Sequence, residues 1–172
     1  MADLRELLES LGCSDVRTLL NSGNVVFRAP ARKASNLAQS IESALEQRCG
    51  FTASTLVMSA DELQKIIEHN PLLDVATDHS RHLVAFARDA KVLAKAKSLL
   101  PTNWQPDVLE VGPSAAYLWC ASGILESKLL KAFGRAMQDT VTTRNWATVL
   151  KLQAMVTESA TGLAAPNQRK KA

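Results

Sequence analysis

The fold class of this chain is indicated most directly by one segment, His82-Leu-Val-Ala-Phe-Ala-Arg-Asp-Ala-Lys-Val-Leu-Ala-Lys-Ala-Lys-Ser-Leu-Leu-Pro101. Its first six residues are mostly apolar and include a β-branched and an aromatic side chain, which predicts a strand at 82–87. The following residues place apolar side chains at helical spacing over 90–100, and Pro101 ends that helix. A strand followed directly by a helix is the beginning of a β-α-β unit.

The residues that follow complete this unit. Two short apolar runs, Val108–Val111 and Ala116–Cys120, flank Gly112-Pro113-Ser114 and predict a hairpin. A helix is predicted from about 125 to 137 and a short strand near 140–143, before a last helix. The second half therefore has the order β-α-β-β-α-β-α, which contains the ferredoxin-like split unit.

The first half gives the order α-β-β-α-β-α. Its elements are a helix over 3–11, a hairpin formed by 16–20 and 25–27, a helix over 35–48, a strand at Thr52–Met58 and a helix that opens at Ser59. We therefore predict an α+β fold of two ferredoxin-like (β-α-β-β-α-β) units packed as one body, the first lacking its opening strand. The predicted division is 1–70 for the first half, 71–156 for the second half with the C-terminal helix, and 157–172 for a disordered tail.

The first strand of this fold is central in its sheet, so its absence leaves two unpaired strand edges. Two explanations remain open. Either the native reading frame begins upstream of Met1, or a partner chain fills the gap, in which case we expect a homodimer through the incomplete sheet.

Composition and charge narrow the function classes. The chain has 172 residues, 47% of them apolar and 22% charged, which is typical of a globular protein. The longest uncharged stretch, 114–125, is far too short to span a membrane, so no membrane partner is expected. The net charge of +3 is concentrated in the tail, at Arg169–Lys171, and residues 1–156 carry only +1. The basic groups at Lys91, Lys95 and Lys97 are interpreted as a solvated helix face, which argues against a nucleic-acid partner.

The cysteines indicate the compartment. Cys13, Cys49 and Cys120 are few, odd in number and far apart, which fits unpaired thiols in a reducing environment. The N-terminus is charged and carries no secretory signal. We therefore expect a cytoplasmic protein.

Several segments together carry a family resemblance. They are Met1-Ala-Asp-Leu-Arg-Glu-Leu-Leu8 with Leu11-Gly12, Asp15-Val-Arg-Thr-Leu-Leu-Asn-Ser-Gly-Asn-Val-Val-Phe27, Asn70-Pro71, Ser127-Lys128-Leu129 and Thr142-Thr-Arg-Asn-Trp-Ala-Thr-Val-Leu-Lys-Leu152. From residue 1 to about 156 the chain resembles the bacterial "domain of unknown function 1697" family. The resemblance implies paired ferredoxin-like units and no known reaction. Members of that family begin with a strand and a glycine-rich segment that this chain lacks.

Two of these signatures are candidate parts of a ligand site. The Ser-Gly-Asn segment lies on a tight turn, where it serves either the positive φ of the turn or an anion-binding nest of backbone N–H groups. The Thr-Thr-Arg-Asn segment opens the last helix, where free N–H groups and the helix dipole favour an anion. The arginine there either grips a phosphate or carboxylate or pairs with an acid of the protein. The residues concerned are Ser22, Gly23 and Asn24, and Thr143, Arg144 and Asn145.

Ser127 and Lys128 form a third candidate, at another predicted helix start. A phosphate contact and a helix cap beside a solvated lysine both fit this pair. The histidines at 79 and 82, with Asp74 and Asp78, lack the spacing of a metal site, so neither a metal nor another cofactor is predicted.

The sequence nominates no general base, and its catalytic residues stay unassigned. We expect the protein to bind a small anionic or phosphorylated ligand near the two signature segments. An enzyme of unknown class that uses the same groups to stabilise negative charge is one alternative. A module that completes its sheet with a partner strand is another.

Overall fold

The computed structural model describes residues 2–19, 23–30 and 36–161. In this part of the chain six α-helices and two sheets form an α+β protein, as the sequence predicts at this level. The elements are α1 (Ala2–Ser10), β1 (Ser14–Leu19), β2 (Asn24–Arg28), α2 (Leu37–Cys49), α3 (Ala60–Glu68), β3 (His82–Ala87), α4 (Ala90–Lys97), β4 (Val108–Val111), β5 (Ala115–Trp119), α5 (Lys128–Met137), β6 (Val141–Asn145) and α6 (Trp146–Thr161).

The chain divides into two compact units. Unit 1 comprises Met1–Val57 and Lys151–Ala172, and unit 2 comprises Met58–Leu150. The first residues of α6 therefore belong to unit 2, whereas the rest of this helix belongs to unit 1.

Unit 2 contains a four-stranded sheet of order β4-β5-β3-β6, in which all neighbours are antiparallel. β3 is central, and Val84 lies opposite Tyr117 of β5 and Arg144 of β6. This order, with α4 and α5 as the connections, is the split unit that the sequence predicts for the second half.

Both faces of this sheet are covered because β3 and β5 are apolar on both sides, which is why they read as nearly continuous apolar runs. One face packs against α4 and α5 through a cluster that includes Leu93, Leu118 and Phe133. On the other face, the buried Tyr117 hydroxyl donates a hydrogen bond of 2.7 Å to the carbonyl oxygen of Ile66 in α3.

The helix starts of unit 2 follow the sequence closely. At α3 the Ser59 Oγ accepts from the Glu62 N–H at 3.2 Å, and the Glu62 carboxylate accepts from the Ser59 N–H at 2.7 Å. This is the capping box that the sequence indicates. The hydrogen bonds that the Ser59 N–H and the Ser59 hydroxyl donate to the Glu62 carboxylate lower the pKa of Glu62, because they favour its ionised form.

Unit 1 is built around the β1–β2 hairpin, whose strands pair antiparallel with Arg17 opposite Val26. Its core cluster joins α1, β1 and α2, with Leu7, Val16 and Ile41 among the buried members. Within the described residues its sheet has only these two strands.

The predicted strand at Thr52–Met58 is wrong, because the structure has no strand in this segment. The β-branched residues of this segment fit a strand, but a strand also needs a neighbouring ladder. The Thr55 N–H instead donates to the Glu42 carboxylate at 2.6 Å. The four-stranded arrangement of unit 2 is therefore not repeated in the described part of unit 1.

The predicted disorder of 157–172 is also wrong for residues 157–161, which continue α6 to Thr161. Two arginines of the hairpin hold this end of the helix. Arg17 donates to the Glu158 carboxylate at 3.1 Å, to the Met155 carbonyl and to the Ser159 hydroxyl, and Arg28 donates to the Ser159 carbonyl. Cations near the last carbonyls of a helix are favourable. Residues 162–172 lie outside the described residues.

Candidate functional site

The Ser-Gly-Asn turn of unit 1 is explained in part by local geometry. Gly23 has φ +74°, and an added Cβ would meet no atom within 4 Å, so the backbone conformation alone requires glycine here. Asn24 is buried, and its Nδ2 donates to the Leu19 carbonyl at 3.4 Å across the turn. Ser22 lies outside the described residues.

The Thr-Thr-Arg-Asn segment lies in β6 rather than at the opening of the last helix. Thr143 and Arg144 pair with Ala85 and Val84 of β3. Strand pairing therefore sets the backbone conformation of these two residues, and no bound anion is needed for it. The helix begins at Trp146, and Asn145 is its cap. The Asn145 Oδ1 accepts from the Thr148 N–H at 2.9 Å and from the Thr148 hydroxyl at 2.7 Å. Thr142–Arg144 therefore precede the last helix instead of forming its first turn.

Arg144 is half-buried, and its guanidinium turns back on its own strand. Nη1 donates to the Thr142 Oγ1 at 2.9 Å and to the Thr143 carbonyl at 2.8 Å. Burial lowers the pKa of this guanidinium. At least part of its donor capacity is thus used by the protein.

Ser127 is fully buried and caps α5. Its Oγ accepts from the Leu130 N–H at 2.9 Å, which is the structural alternative that the sequence left open. It also hydrogen-bonds the buried Cys120 thiol. Burial raises the pKa of this thiol, and the bond from Ser127 acts in the opposite direction. Cys120 is therefore a buried, weakly acidic thiol rather than a reactive one.

Lys128, by contrast, is exposed and lies on an outward surface of α5. An open, shallow groove there is lined by residues of α5 and by one tryptophan from the segment between α4 and β4. We call it the α5 surface, and it consists of Trp104, Lys128, Lys131, Ala132, Arg135 and Ala136.

The position of the α5 surface follows from how α5 packs. Leu129, Phe133 and Met137 recur every four residues and are buried in the core of unit 2. The cations at 128, 131 and 135 follow a spacing of three and four, which brings them to a common side of the helix. The three cations are exposed because the apolar residues of α5 occupy the side of the helix that faces the core.

Trp104 is held in place beside this row. Its indole N–H donates to the Leu99 carbonyl at 2.8 Å, and the ring packs partly against the core cluster. The alanines at 132 and 136 are small, so they leave space beside the ring. The α5 surface therefore combines the indole ring of Trp104 with the cationic side chains of α5.

The charge of the α5 surface is not neutralised by the protein. Five ion pairs occur in the described part of the chain, and they involve Arg17, Arg28, Arg48 and Arg81 but no cation of α5. Arg135 donates through Nε to the Lys131 carbonyl at 3.3 Å, which orients its guanidinium along the helix.

Sequence reasoning identified only Lys128 of this surface. The signal for the others was present, because Lys128, Lys131 and Arg135 share the helical spacing of one face. The contribution of Trp104 requires the tertiary fold and has no local signature.

Of the two histidines at 79 and 82, the fold buries His82. Among the residues described, no group of three or more His, Cys, Asp or Glu side chains is placed to hold a metal ion. His82 is fully buried and stacks on Trp146, with ring centroids 5.1 Å apart and planes at 18°. Its Nε2 lies 3.3 Å from the Asn70 Nδ2, and its Nδ1 is buried without a hydrogen-bond partner. Burial lowers the pKa of His82 to about 4, with a smaller contribution from His79.

No helix in the described part of the chain combines the length and the apolar character that crossing a bilayer needs.

Comparison with known proteins gives a family and a fold. The profile of the family described as "Protein of unknown function (DUF1697)" matches residues 1–117. The chain is similar to the solved structure of a conserved bacterial protein from Streptococcus pneumoniae, with 22% identity and a TM-score of 0.73. That match covers 91% of this chain and 88% of the other. No curated protein matches the sequence.

Proposed function

Since the chain belongs to the DUF1697 family, which supplies no reaction, we propose from the geometry of unit 2 that it binds a small anionic, phosphate-bearing ligand on the α5 surface. One observation carries this proposal. Lys128, Lys131 and Arg135 are exposed on a common side of α5, pair with no carboxylate of the described residues, and flank an ordered indole ring.

The physical argument rests on charge and on shape. Lysine supplies a point charge and arginine a planar fork of donors, and both recognise phosphate oxygens well. The surface is open, so water competes for these groups, and we expect weak binding that salt weakens further. The three cysteines, all in the described part of the chain, form no disulfide, which supports a cytoplasmic setting for this activity.

This proposal moves the centre of the sequence-predicted site while keeping Lys128. Asn145 and Ser127 are engaged as helix caps, and Arg144 is bound to its own strand. Gly23 and Asn24 lie in unit 1 and Arg144 in unit 2. The turn at Gly23 and Asn24 and the strand that carries Arg144 remain two separate competing sites, which the experiment must distinguish from the α5 surface.

The test is a titration of the full chain with pyrophosphate, followed by backbone and indole N–H chemical shifts. We expect the largest shifts at 128–136 and at the Trp104 indole. The triple variant Lys128→Gln/Lys131→Gln/Arg135→Gln should weaken binding at least tenfold. The matched control Arg5→Gln/Lys65→Gln/Lys151→Gln removes three exposed charges elsewhere and should bind like the wild type.

Two results contradict the proposal. One is unchanged affinity in the α5 triple variant. The other is loss of binding in Arg144→Ala while the α5 triple variant still binds, because the site would then lie at β6.

A second candidate function is a protein-interaction module. The observation that favours it is the two-stranded sheet of unit 1, since isolated hairpins are marginally stable and a further strand would extend the ladder. On this hypothesis a second copy completes a ferredoxin-like first half and forms a homodimer. Light scattering after size exclusion tests it, and a monomer at all protein concentrations would contradict it.

A further inference from the structure

Further cations lie on α4, the helix that contacts α5. α4 carries Lys91, Lys95 and Lys97, all exposed, and neither α4 nor α5 contains an acidic residue. The nearest acid before α4 is Asp89, whose Oδ1 is engaged as the helix cap with the Lys91 N–H at 2.8 Å.

The two helices form one continuous face of unit 2. α4 buries Leu93 and Ala96, and α5 buries Leu129 and Phe133, all in the same core cluster. The helices also contact each other directly. The two helices therefore expose six cations on one side of the sheet, although the average charge of the chain conceals this. Lys91 and Lys95 lie one turn apart on α4, whereas Lys97 lies on a different side of that helix.

Six cations are more than one phosphate group needs. Phosphate oxygens accept hydrogen bonds at about 2.9 Å, whereas the α5 row alone extends over about 10 Å of helix axis. An extended row of positive charge fits a ligand with repeated negative charges. The same face is open rather than enclosed, so it does not surround a compact molecule.

Trp104 favours a nucleic acid among the polyanions. Its ring is fixed by the hydrogen bond to the Leu99 carbonyl and borders the cationic row. Proteins that bind single strands combine a basic track for the phosphates with aromatic rings on which bases stack. Neither an acidic peptide nor a lipid headgroup has a flat base to place on the indole.

We propose that the phosphate-bearing ligand of the α5 surface is a single-stranded nucleic acid whose backbone continues onto α4. This inference rests on the proposed function, and it departs from the sequence expectation that the α4 lysines are only a solvated face. Lys128, Lys131 and Arg135 contact the phosphates next to the base on Trp104. The lysines of α4 contact the following phosphates.

The experiment measures binding of a labelled ten-nucleotide oligouridine by fluorescence anisotropy, with intrinsic tryptophan fluorescence recorded in parallel. The chain has three tryptophans, and Trp119 and Trp146 are buried, so quenching reports a base at Trp104. Six phosphate contacts predict a slope of about −4 for log affinity against log salt. This slope corresponds to about a 300-fold loss of affinity from 50 to 200 mM salt.

The variants separate this inference from the proposed function. Lys91→Gln/Lys95→Gln/Lys97→Gln should reduce the slope to about −2 for the oligonucleotide and leave pyrophosphate binding unchanged. The α5 triple variant should weaken both ligands, and the Arg5/Lys65/Lys151 control neither.

Four outcomes overturn the inference. An α4 triple variant that binds the oligonucleotide like the wild type limits the site to α5 and leaves the proposed function intact. Polyglutamate of equal charge that competes as well as the oligonucleotide, or binding without tryptophan quenching, shows that charge alone acts. An α5 triple variant with unchanged affinity for both ligands removes the inference and the proposed function together.

Discussion

The buried imidazole of His82 predicts a specific dependence of stability on pH. The ring is fully buried against Trp146, and burial lowers its pKa from 6.5 to about 4. In the unfolded chain the same ring titrates near 6.5. Between these two pH values the unfolded state therefore binds a proton that the folded state excludes.

The sign and size of the effect follow from this difference. The contribution of His82 is fully present above pH 6.5, is lost progressively as the pH falls to about 4, and is constant below that. A shift of this size corresponds to about 3 kcal/mol of unfolding free energy. The arrangement of the ring nitrogens agrees with a neutral ring. The Asn70 amide donates toward Nε2, because its oxygen already accepts from the Leu72 N–H at 3.0 Å, and so Nδ1 carries the proton.

Urea melts followed by circular dichroism at pH 7, 6, 5 and 4 measure this contribution. Carboxylates titrate over part of the same range, so the quantity of interest is the difference between the wild type and His82→Phe. We expect that difference to change by about 3 kcal/mol from pH 7 to pH 4.

Parallel profiles for the wild type and His82→Phe would refute the reasoning, since His82 would then titrate equally in both states. If His82→Phe does not fold, the titration of the wild-type His82 ring by NMR decides the same question. A midpoint near 6.5 in the folded protein contradicts a buried neutral ring.

Three further predictions concern single groups. Burial raises the pKa of Tyr117, the chain's one tyrosine, to about 12, so absorbance at 295 nm should show only about a tenth of the ring as phenolate in the folded protein at pH 11. Titration near pH 10 would contradict its burial. The exposed Cys49 should react with a thiol reagent at once, whereas the buried Cys13 and Cys120 should react only on unfolding. Equal reaction rates for the three thiols would show that the reagent reaches the cores of the folded protein. Ser127→Ala removes the cap of α5 and should lower the unfolding free energy by about 1–2 kcal/mol in urea melts, while an unchanged midpoint would show that the cap is dispensable.

Local patterns predicted the strands and the hairpin of unit 2 well. The predicted strand at His82–Ala87 coincides with β3, and the hairpin around Gly112 coincides with β4 and β5 to within one residue. These elements are apolar runs bounded by turn residues, so burial and turn chemistry act on the same few positions. The strand order followed because a β-α-β-β-α-β sequence of elements permits few connections.

Unit 1 was harder to predict because its pairing partners are not local. Thr52–Met58 has the composition of a strand, but the carboxylate of Glu42 takes the N–H of Thr55. The end of α6 looked polar enough for disorder, yet Arg17 and Arg28 bind it from the hairpin. Side chains distant in sequence decide both outcomes, and no window of neighbouring residues contains them.

In the candidate site, too, the local signals could be predicted from the sequence and the contacts between distant residues could not. Ser127 and Asn145 were recognisable as polar residues near helix starts, and both prove to be caps. The row at Lys128, Lys131 and Arg135 was readable from helical spacing. Trp104 was not, since only the fold brings the 101–107 segment against α5.

The discontinuous course of unit 1 has a consequence for how the protein is made. Its hairpin and first two helices leave the ribosome early, but the stretch of α6 that Arg17 and Arg28 bind is translated only after all of unit 2. At about 5–20 residues per second, the hairpin waits roughly 6–25 s for this helix. Unit 2 is contiguous, and all of it is synthesised during that interval. The residues that are synthesised first thus belong to the unit that closes last, and for those seconds the apolar side chains of the hairpin depend on α1 and α2 alone for cover.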